Sequence, residues 1–227
     1  FLVKIYYKKA DLIISNSISG KYDLIKLCKT KVLNIPSPSF INLKYKKPFK
    51  KNSKLKMISV GRLSKEKGYN IIIEALSKLK IKNFSMTILG DGPEKITLQK
   101  IIKKKGLQKK ITLLGFKRNI GRYYRKANLF INASYFEGFP NAVVEAISYD
   151  IPVICSNSRG GIKEIILNGR GGDMFPVNDA LTLSRKIGLF YNKPYNLYKK
   201  KILARKKIIK YSLSSHILKY EKIFSSI

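Results

Sequence analysis

The hydrophobic residues of this chain fall into short apolar runs separated by longer stretches with helical spacing. The runs are LKMISVG (55–61), FSMTILG (84–90), ITLLGF (111–116), NLFINAS (128–134) and IPVICSN (151–157). A strand covered on both faces is almost continuously apolar, because neither face meets water. The runs therefore predict five buried strands of a parallel sheet.

Stretches with a helical period lie between these runs. They are YNIIIEALSKL (69–79), EKITLQKIIKKKG (94–106), NIGRYYRKA (119–127) and NAVVEAIS (141–148). Gly106 is suited to the left-handed position that follows a helix. Strand–helix alternation at this rhythm predicts an α/β fold, a Rossmann-like doubly wound parallel sheet with right-handed crossovers. Ligands of such sheets bind outside the carboxyl ends of the strands.

Two further pieces flank this alternation, and the chain has no internal repeat. The basic, proline-containing stretch 44–54 is typical of a linker. The remaining predicted elements are a strand at 10–17, a helix around Tyr22 and Ile25, the segment KVLNIPSPS (31–39), and two C-terminal helices at 197–212 and 214–227.

The composition is that of a globular chain that can build a full core, with 227 residues of which 44% are hydrophobic. Cys28 and Cys155 match no metal or redox spacing, so reduced buried thiols in a cytoplasm are the simplest interpretation. No uncharged apolar run approaches the ~20 residues of a membrane span, and the first residues lack the pattern of a signal peptide. We therefore expect a cytoplasmic protein, and a chain that begins inside a longer one.

The formal net charge of +34 arises from 39 lysines and 8 arginines against 13 acidic residues. Specific polyanion sites use more arginine, whose fork binds phosphate bidentately, so a solvated lysine-rich surface explains most of this charge. The rest of the positive charge could hold the protein peripherally on anionic lipid at the inner face of the cytoplasmic membrane. Each well-placed lysine contributes ~1 kcal/mol to such binding. Basic and aromatic residues do not interleave as in nucleic-acid-binding modules, so no nucleic-acid partner is expected.

The segment SVGRLSKEKG (59–68) places two cations just after a predicted strand. Gly61 allows a tight turn, and Arg62 and Lys67 follow before the next helix. Such a pair at the carboxyl end of a strand can hold a diphosphate, the arginine by its fork and the lysine as a point charge. The alternative is an ordinary turn in a lysine-rich protein.

Two more predicted strands end on glycine. In LGDGPE (89–94), Asp91 lies between two glycines, in a turn that either binds phosphate or simply lines a cleft. In LLGF (113–116), the backbone of Phe116 and Lys117 could meet a flat base. Neither pattern is specific by itself.

The segment EGFPNAVVE begins and ends on a glutamate, a scarce residue in this chain. Glu137 and Gly138 lie in a predicted loop, and Pro140 suits the first turn of a helix that contains Glu145. On one continuous helix the two carboxylates would be ~12 Å apart. The break between them instead allows both to reach one polyhydroxylated ligand, whereas surface decoration by a helix-favouring residue is the alternative.

The start of this helix is also suited to oxygen-rich or anionic ligands. The backbone N–H groups of Phe139, Asn141 and Ala142 have no predicted partner within the helix. Together with the helix dipole they favour negative charge. A ligand held there would lie between the two glutamates.

Taken in order, these motifs resemble the retaining glycosyltransferases of family 4, the glycosyl transferases group 1. EGFPNAVVE fits the E-x7-E signature of that family, and YSLSSHILKYEKIF (211–224) resembles its closing helix. The resemblance covers residues 55–227 and implies the GT-B architecture, two facing Rossmann-like domains with the nucleotide-sugar donor in the second. The other matching segments are SVGRLSKEKG, LGDGPE, LLGF, AISYDIPVICS, GGIKEII (160–166) and NGRGGDMFPVND (168–179).

The resemblance implies a role for each matching residue. Arg62 and Lys67 hold the diphosphate and form the catalytic set with Glu137, which faces the donor sugar. This pair of cations stabilises the departing nucleoside diphosphate, so no metal and no other cofactor is expected. The two glutamates then hold the ligand, Glu145 at the ribose, and are not the acid and nucleophile of a glycosidase. The implied donor-binding residues are Glu145, Gly61, Phe116 at the base, Gly138, Phe139, Pro140, Asn141 and Asp91.

This sequence departs from the family pattern in two places. Asp150 stands where the family has glycine, at a cost of up to ~1 kcal/mol if the backbone is left-handed there. Residues 1–45 resemble only the end of an acceptor domain, so most of that domain is missing, and His216 is interpreted as structural. We expect a remnant of the acceptor domain plus linker at 1–45, the donor-binding domain at 46–205, and a helix at 206–227 that packs back on the N-terminal domain.

The leading hypothesis is transfer of a sugar, with retention, from a nucleotide sugar to a polysaccharide or lipid-linked oligosaccharide acceptor. A UDP-sugar is the favoured donor. The second hypothesis is a non-catalytic fragment that binds a nucleotide but lacks the acceptor domain. A nucleic-acid-binding protein is less favoured, and so is a sugar-nucleotide epimerase, because the E-x7-E set fits transferases better. The expected partners are the donor, a glycan or lipid-linked acceptor, and the missing N-terminal domain.

Overall fold

The apolar runs form a parallel sheet in the computed structural model, which describes residues 5–28 and 30–225. In chain order the strands are β1 (Ile13–Ser15), β2 (Val32–Asn34), β3 (Leu55–Val60), β4 (Phe84–Leu89), β5 (Ile111–Leu113), β6 (Leu129–Asn132), β7 (Phe136–Glu137), β8 (Val153–Ser156), β9 (Arg159–Gly160) and β10 (Asp173–Phe175). Six of them form the central sheet in the order β10-β8-β6-β3-β4-β5, with every pair parallel. β1 pairs with β2 and β7 with β9 in two small parallel sheets.

Helices connect these strands, and the helix Lys95–Lys104, called α3, ends as the sequence predicts. Gly106 has φ 66°, its N–H donates to Lys103 O at 3.0 Å, and the N–H of Leu107 donates to Ile102 O at 3.0 Å. A left-handed glycine satisfies the last carbonyls of a helix in this way. The helices are α1 (Ile18–Cys28), α2 (Tyr69–Ser77), α3 (Lys95–Lys104), α4 (Gly121–Lys126), α5 (Asn141–Ser148), α6 (Ile162–Ile165), α7 (Ala180–Asn192), α8 (Pro194–Ile208) and α9 (Leu213–Phe224).

Helices cover both faces of the central sheet, as its continuously apolar strands require. Along β3, Leu55 and Met57 enter one core cluster whereas Ile58 enters the other, because successive side chains point to opposite faces. The helical residues Ile72, Leu98 and Ile187 belong to the first cluster, and Val144, Ala204 and Ile208 belong to the second.

The predicted fold class, a Rossmann-like doubly wound parallel sheet, is confirmed. All five predicted strands of the core are present but shorter than predicted, since the last residues of each run lie outside the strand; β5, for example, ends at Leu113. The prediction missed β10, which has only three residues at the sheet edge and is too short to show a period. It also missed α7, whose buried Leu183, Ile187 and Phe190 do recur at helical spacing.

The predicted linker at 44–54 is irregular but is fixed to the sheet domain. The backbone N–H of Lys44 donates to Ser148 O, at the end of α5, at 2.7 Å, and that of Lys46 donates to Asp150 Oδ2, just after α5, at 3.1 Å. Phe49 is buried and stacks on Phe190, with ring centroids 5.7 Å apart. Because an apolar side chain anchors this stretch in the core, it is packed structure and not a free linker.

Asp150 ends α5 with φ 65°, the left-handed conformation that favours glycine. Its carboxylate lies 2.7 Å from Lys201 Nζ and 3.0 Å from Arg205 Nη1. All three side chains are about nine-tenths buried, since their relative exposures are 10%, 8% and 10%. This buried ion cluster connects α5 to α8, so the departure from glycine has a structural role.

The C-terminal helix packs against the segment that follows β2. The N–H of Leu213 donates to Phe40 O at 3.0 Å, and buried His216 forms a hydrogen bond with Pro36 O. Residues 1–4, 29, 226 and 227 of the predicted first and last units lie outside the described residues. Within the part of the chain that is described, no helix is both long and apolar enough to cross a membrane.

Candidate functional site

A cleft of about 520 Å³ opens at the carboxyl ends of β3 and β4, the edge at which such sheets bind ligands. The start of α5 forms its opposite wall. Its lining is Val60, Gly61, Arg62, Leu89, Gly90, Asp91, Phe116, Lys117, Arg118, Ile120, Asn141, Ala142 and Glu145. Six residues predicted from the sequence therefore lie in one cleft: Gly61, Arg62, Asp91, Phe116, Asn141 and Glu145.

The floor of this cleft is a close contact between the turns that follow β3 and β4. A Cβ added to Gly90 would lie 1.9 Å from Gly61 O, so only glycine fits there. The N–H of Gly61 donates to Leu89 O at 3.0 Å, and that of Gly90 donates to Gly115 O at 2.9 Å. The floor is therefore tightly fixed backbone, which a bulky ligand can approach closely.

The cleft carries unpaired positive charge. Arg62, Lys117 and Arg118 form no ion pair with any other described residue. The charge of Asp91 is already matched, because Lys95 Nζ lies 2.8 Å from its carboxylate and this hydrogen bond lowers the pKa of Asp91. Such a cleft attracts anions. Arg118 was not predicted as a site residue. Lys117 and Arg118 are, however, two consecutive cations shortly after the glycine that ends a predicted strand, a pattern that indicates an anion site.

Glu145 is half-buried in the wall of the cleft and is oriented by a tyrosine. Tyr124 OH donates to Glu145 Oε2 at 3.0 Å. Burial raises the pKa of Glu145, and the hydrogen bond from Tyr124 partly offsets that rise. Burial first and then the charge of Glu145 raise the pKa of Tyr124 well above its usual value, so its hydroxyl stays a donor. One carboxylate oxygen is thus held, and the other accepts no hydrogen bond from the described residues.

Glu137 lies beside the cleft in a separate polar cluster. Its Oε1 accepts hydrogen bonds from Lys67 Nζ at 2.8 Å, Ser134 Oγ at 2.7 Å and Asn132 Nδ2 at 3.1 Å. The stem of Lys67 comes within 3.9 Å of the position that a Cβ on Gly61 would take, so this cluster borders the cleft. Asn132 and Ser134 were not predicted, although they are the polar residues at the end of an apolar run.

The loop before α5 differs from the expectation in one respect. Pro140 precedes the first helical residue with φ −84° and ψ 68°, and the N–H of Asn141 donates back to Phe139 O at 3.0 Å. This is an inverse γ-turn, which the fixed φ of proline favours. The N–H of Asn141 therefore has no acceptor within α5, as the sequence predicts, but its hydrogen bond to Phe139 O makes it unavailable to a ligand. The N–H of Ala142 has no acceptor among the described residues, and Ala142 lines the cleft.

The other predicted site residues lie outside the cleft lining. The carbonyls of Glu137 and Gly138 accept the N–H of Gly161, at 3.2 and 3.1 Å, next to the pairing of β7 with β9. The side chain of Phe139 is buried against the ring of Tyr211, with centroids 5.1 Å apart. In the described residues, no three His, Cys, Asp or Glu side chains are grouped so that they could hold a metal ion. The predicted residues outside the lining are Lys67, Glu137, Gly138, Phe139 and Pro140.

Comparison with known proteins gives one family for this chain. The family described as Glycosyl transferases group 1 matches residues 41–212. A relative from Campylobacter jejuni, N-acetylgalactosamine-N,N'-diacetylbacillosaminyl-diphospho-undecaprenol 4-alpha-N-acetylgalactosaminyltransferase, is 31% identical over 97% of this chain and 62% of its own length. Alpha-monoglucosyldiacylglycerol synthase of Acholeplasma laidlawii is 34% identical over 68% of this chain and 36% of its own length. The chain thus spans less than two thirds of these relatives.

Solved structures share the fold. HepE of Anabaena, in complex with UDP and glucose, superposes with a TM-score of 0.85 at 21% identity, covering 96% of this chain and 64% of that one. A glycosyltransferase from Rickettsia africae superposes with a TM-score of 0.83 at 25% identity, covering 99% and 66%. These structures support the predicted fold of GT-B glycosyltransferases.

Proposed function

This chain belongs to the glycosyl transferases group 1 family, and from that premise we propose that it is the donor-binding part of a retaining family 4 enzyme with an E-x7-E motif. The donor is a nucleotide sugar, and UDP is favoured because HepE, with the same fold, binds UDP and glucose. The acceptor is a glycan or a lipid-linked oligosaccharide, since the Campylobacter relative is named for a sugar chain on diphospho-undecaprenol. No metal and no other cofactor takes part.

The observation that carries this proposal is one cleft with unpaired cations, a free carboxylate oxygen and a bordering Lys–Glu pair. Arg62 meets the diphosphate, because its fork fits phosphate oxygens. The open oxygen of Glu145 accepts ribose hydroxyls, which are hydrogen-bond donors. Phe116 is 72% exposed at the rim and meets the flat base. Glu137 and Lys67 then lie at the sugar end, beyond Gly61.

The chemistry follows from charge placement. When the bond between the sugar and the diphosphate breaks, negative charge grows on the leaving phosphate, and Arg62 and Lys67 stabilise it. The acceptor hydroxyl attacks on the face that the diphosphate leaves, and its proton passes to the leaving phosphate oxygen. The new C–O bond forms on the face of the broken one, so the anomeric configuration is retained. Glu137 is not the nucleophile, since its Oε1 already accepts three hydrogen bonds in a buried cluster. It positions Lys67 and the sugar instead.

The acceptor side of the enzyme is proposed to lie outside this chain. Large apolar side chains near the N-terminus and on α9 are exposed, and contiguous apolar surface usually marks an interface. We propose that an acceptor domain covers this surface, so residues 1–45 and 206–227 belong to that side of the protein and 46–205 hold the donor. A lipid-linked acceptor and the +34 charge also fit peripheral contact with the inner face of the cytoplasmic membrane. The exposed side chains include Ile14, Ile18, Tyr22, Leu27, Ile217, Leu218 and Phe224.

Calorimetric titration of the chain with UDP and with GDP tests the donor site. We expect micromolar or weaker binding, a preference for UDP, and a loss of roughly tenfold or more on Arg62→Ala, because a charge-assisted hydrogen bond is worth about 1.5–3 kcal/mol. Arg170→Ala is the matched control, since Arg170 is exposed and lies outside the cleft lining. No heat with either nucleotide, or equal losses in the two variants, contradicts the assignment.

A second measurement separates the enzyme from a non-catalytic fragment. The chain spans 62% of its Campylobacter relative, so nucleotide binding without transfer is the alternative outcome. Hydrolysis of UDP-sugars should be screened with this chain and with the same chain joined to its upstream coding sequence. Turnover that requires the upstream part supports the transferase, whereas nucleotide binding without turnover in both proteins supports the fragment.

A further inference from the structure

A second cavity, of about 490 Å³, lies under the irregular segment 46–54 at the amino edge of the central sheet. Six cationic side chains line it, and its lining contains no carboxylate. We call this cavity the basic pocket. Its lining is Lys46, Pro48, Phe49, Lys50, Ser53, Lys54, Lys56, Arg125, Lys126 and Asn128.

The basic pocket is separate from the cleft described above. Lys56 lies near the amino end of β3, and Asn128 directly precedes β6. The cleft begins at Val60, the last residue of β3. With ~3.3 Å for each strand residue, the two sites are ~13 Å apart along this strand. A ligand in the basic pocket therefore does not occupy the donor site.

The positive charge of the basic pocket is not neutralised within the protein. None of its six cations forms an ion pair with another described residue. Lys46 is partly buried, and Ala127 O is the one acceptor that its Nζ has among the described residues. Burial, and next the charge of Lys56, lower the pKa of Lys46 to about 8. The charge of Lys201 also lowers the pKa of Lys46, whereas the charge of Asp150 raises it.

We propose that the basic pocket binds a compact phosphate anion. Such an anion would relieve the repulsion among the clustered cations, and lysines bind phosphate as mobile point charges. Single-stranded nucleic acid needs exposed aromatic rings for stacking, and the only ring in this lining, Phe49, is buried. The anion is either a free diphosphate or the headgroup of an anionic lipid, which offer the same chemistry.

Two probes distinguish these sources: inorganic pyrophosphate by calorimetry, and vesicles of phosphatidylglycerol against phosphatidylcholine by sedimentation. All proteins carry Arg62→Ala, so that the donor cleft contributes little. The pocket variant is Lys50→Gln/Lys54→Gln/Arg125→Gln. The matched control, Lys100→Gln/Lys103→Gln/Lys104→Gln, removes the same charge from exposed residues that lie outside the basic pocket.

We expect the pocket variant to lose about tenfold or more in affinity for one of the two probes, because each of its three removed charges contributes a factor of up to about five. The control should lose about threefold or less, because salt screens exposed charges that do not contact the anion. A selective loss with pyrophosphate identifies a free diphosphate, and a selective loss with phosphatidylglycerol vesicles identifies a lipid headgroup. Equal losses in the two variants overturn the proposal in favour of diffuse surface charge. A DNA oligonucleotide serves as a third probe. If the pocket variant selectively loses binding to DNA and to neither phosphate probe, the proposal is overturned in favour of nucleic acid.

Proton uptake provides a site-specific signature. At pH 8 roughly half of the Lys46 side chains are neutral, and a bound anion favours the charged form. Calorimetry in two buffers of different ionisation enthalpy should therefore show up to about half a proton more uptake for the wild type than for Lys46→Arg. The arginine keeps the charge but does not titrate in this pH range, so it takes up no proton when the anion binds. Identical uptake by the two proteins contradicts binding at Lys46.

Discussion

Replacing Asp150 with glycine separates two forces that act on one residue. The left-handed backbone at φ 65° favours glycine there. The carboxylate, however, neutralises Lys201 and Arg205 in a cluster from which water is largely excluded. If backbone strain dominates, Asp150→Gly stabilises the protein. If the ion cluster dominates, the same substitution destabilises it.

The magnitudes favour the ion cluster. Relief of the left-handed strain stabilises by about 1 kcal/mol. Removing one partner of a buried ion pair costs about 3–5 kcal/mol, because it leaves an uncompensated buried charge. We therefore expect a net loss of about 2–4 kcal/mol in the free energy of unfolding. For a chain of 227 residues, this corresponds to a Tm lower by about 4–16 °C.

Urea unfolding followed by circular dichroism measures this difference. Asp150→Asn is expected to lose a comparable amount, since it tolerates the left-handed conformation but removes the charge. Asp173→Asn is the control, because Asp173 pairs with the more exposed Lys200 at 2.6 Å and should cost about 1 kcal/mol or less. In a Lys201→Met background, Asp150→Gly should cost less than in the wild type. An Asp150→Gly protein as stable as the wild type, or more stable, would refute this account.

Two further predictions concern the cleft. UDP affinity should fall on acidification, and the fall should begin above the usual range of a glutamate, because burial raises the pKa of Glu145 and protonation removes the ribose acceptor. Tyr124→Phe should move the onset of this loss of affinity to still higher pH, whereas Tyr123→Phe should leave it unchanged. Calorimetric titrations at several pH values measure the onset, and the same profile for the wild type and both variants contradicts the assignment. Lys67→Met leaves the buried Glu137 without its cation, so urea unfolding should show a loss of about 1–3 kcal/mol. The control is Lys65→Met, which removes an exposed cation from the same turn and should change stability by less than about 0.5 kcal/mol. Equal effects of the two substitutions argue against a structural role of the Lys67–Glu137 pair.

The elements that the sequence predicted are those whose signal is local. A buried strand such as β3 can be recognised from its nearly continuous apolar run, and a helix such as α5 from apolar residues that recur within its own length. The strand-end glycines predicted the edge at which the cleft opens. Six of the thirteen cleft residues, among them Gly61 and Glu145, were likewise named in advance, since the carboxyl ends of parallel strands meet at one edge of the sheet.

Tertiary structure alone decided how these residues are held. Lys67 meets Glu137 across 70 residues, and Tyr124 meets Glu145 across 21. Contacts of this kind depend on the order of strands in the sheet, and no local period encodes that order. The basic pocket likewise exists only because the buried ring of Phe49 fixes the segment 46–54 against the sheet. The sequence therefore determined the elements and the edge for binding, whereas packing between distant segments decided each side chain's partner and charge environment.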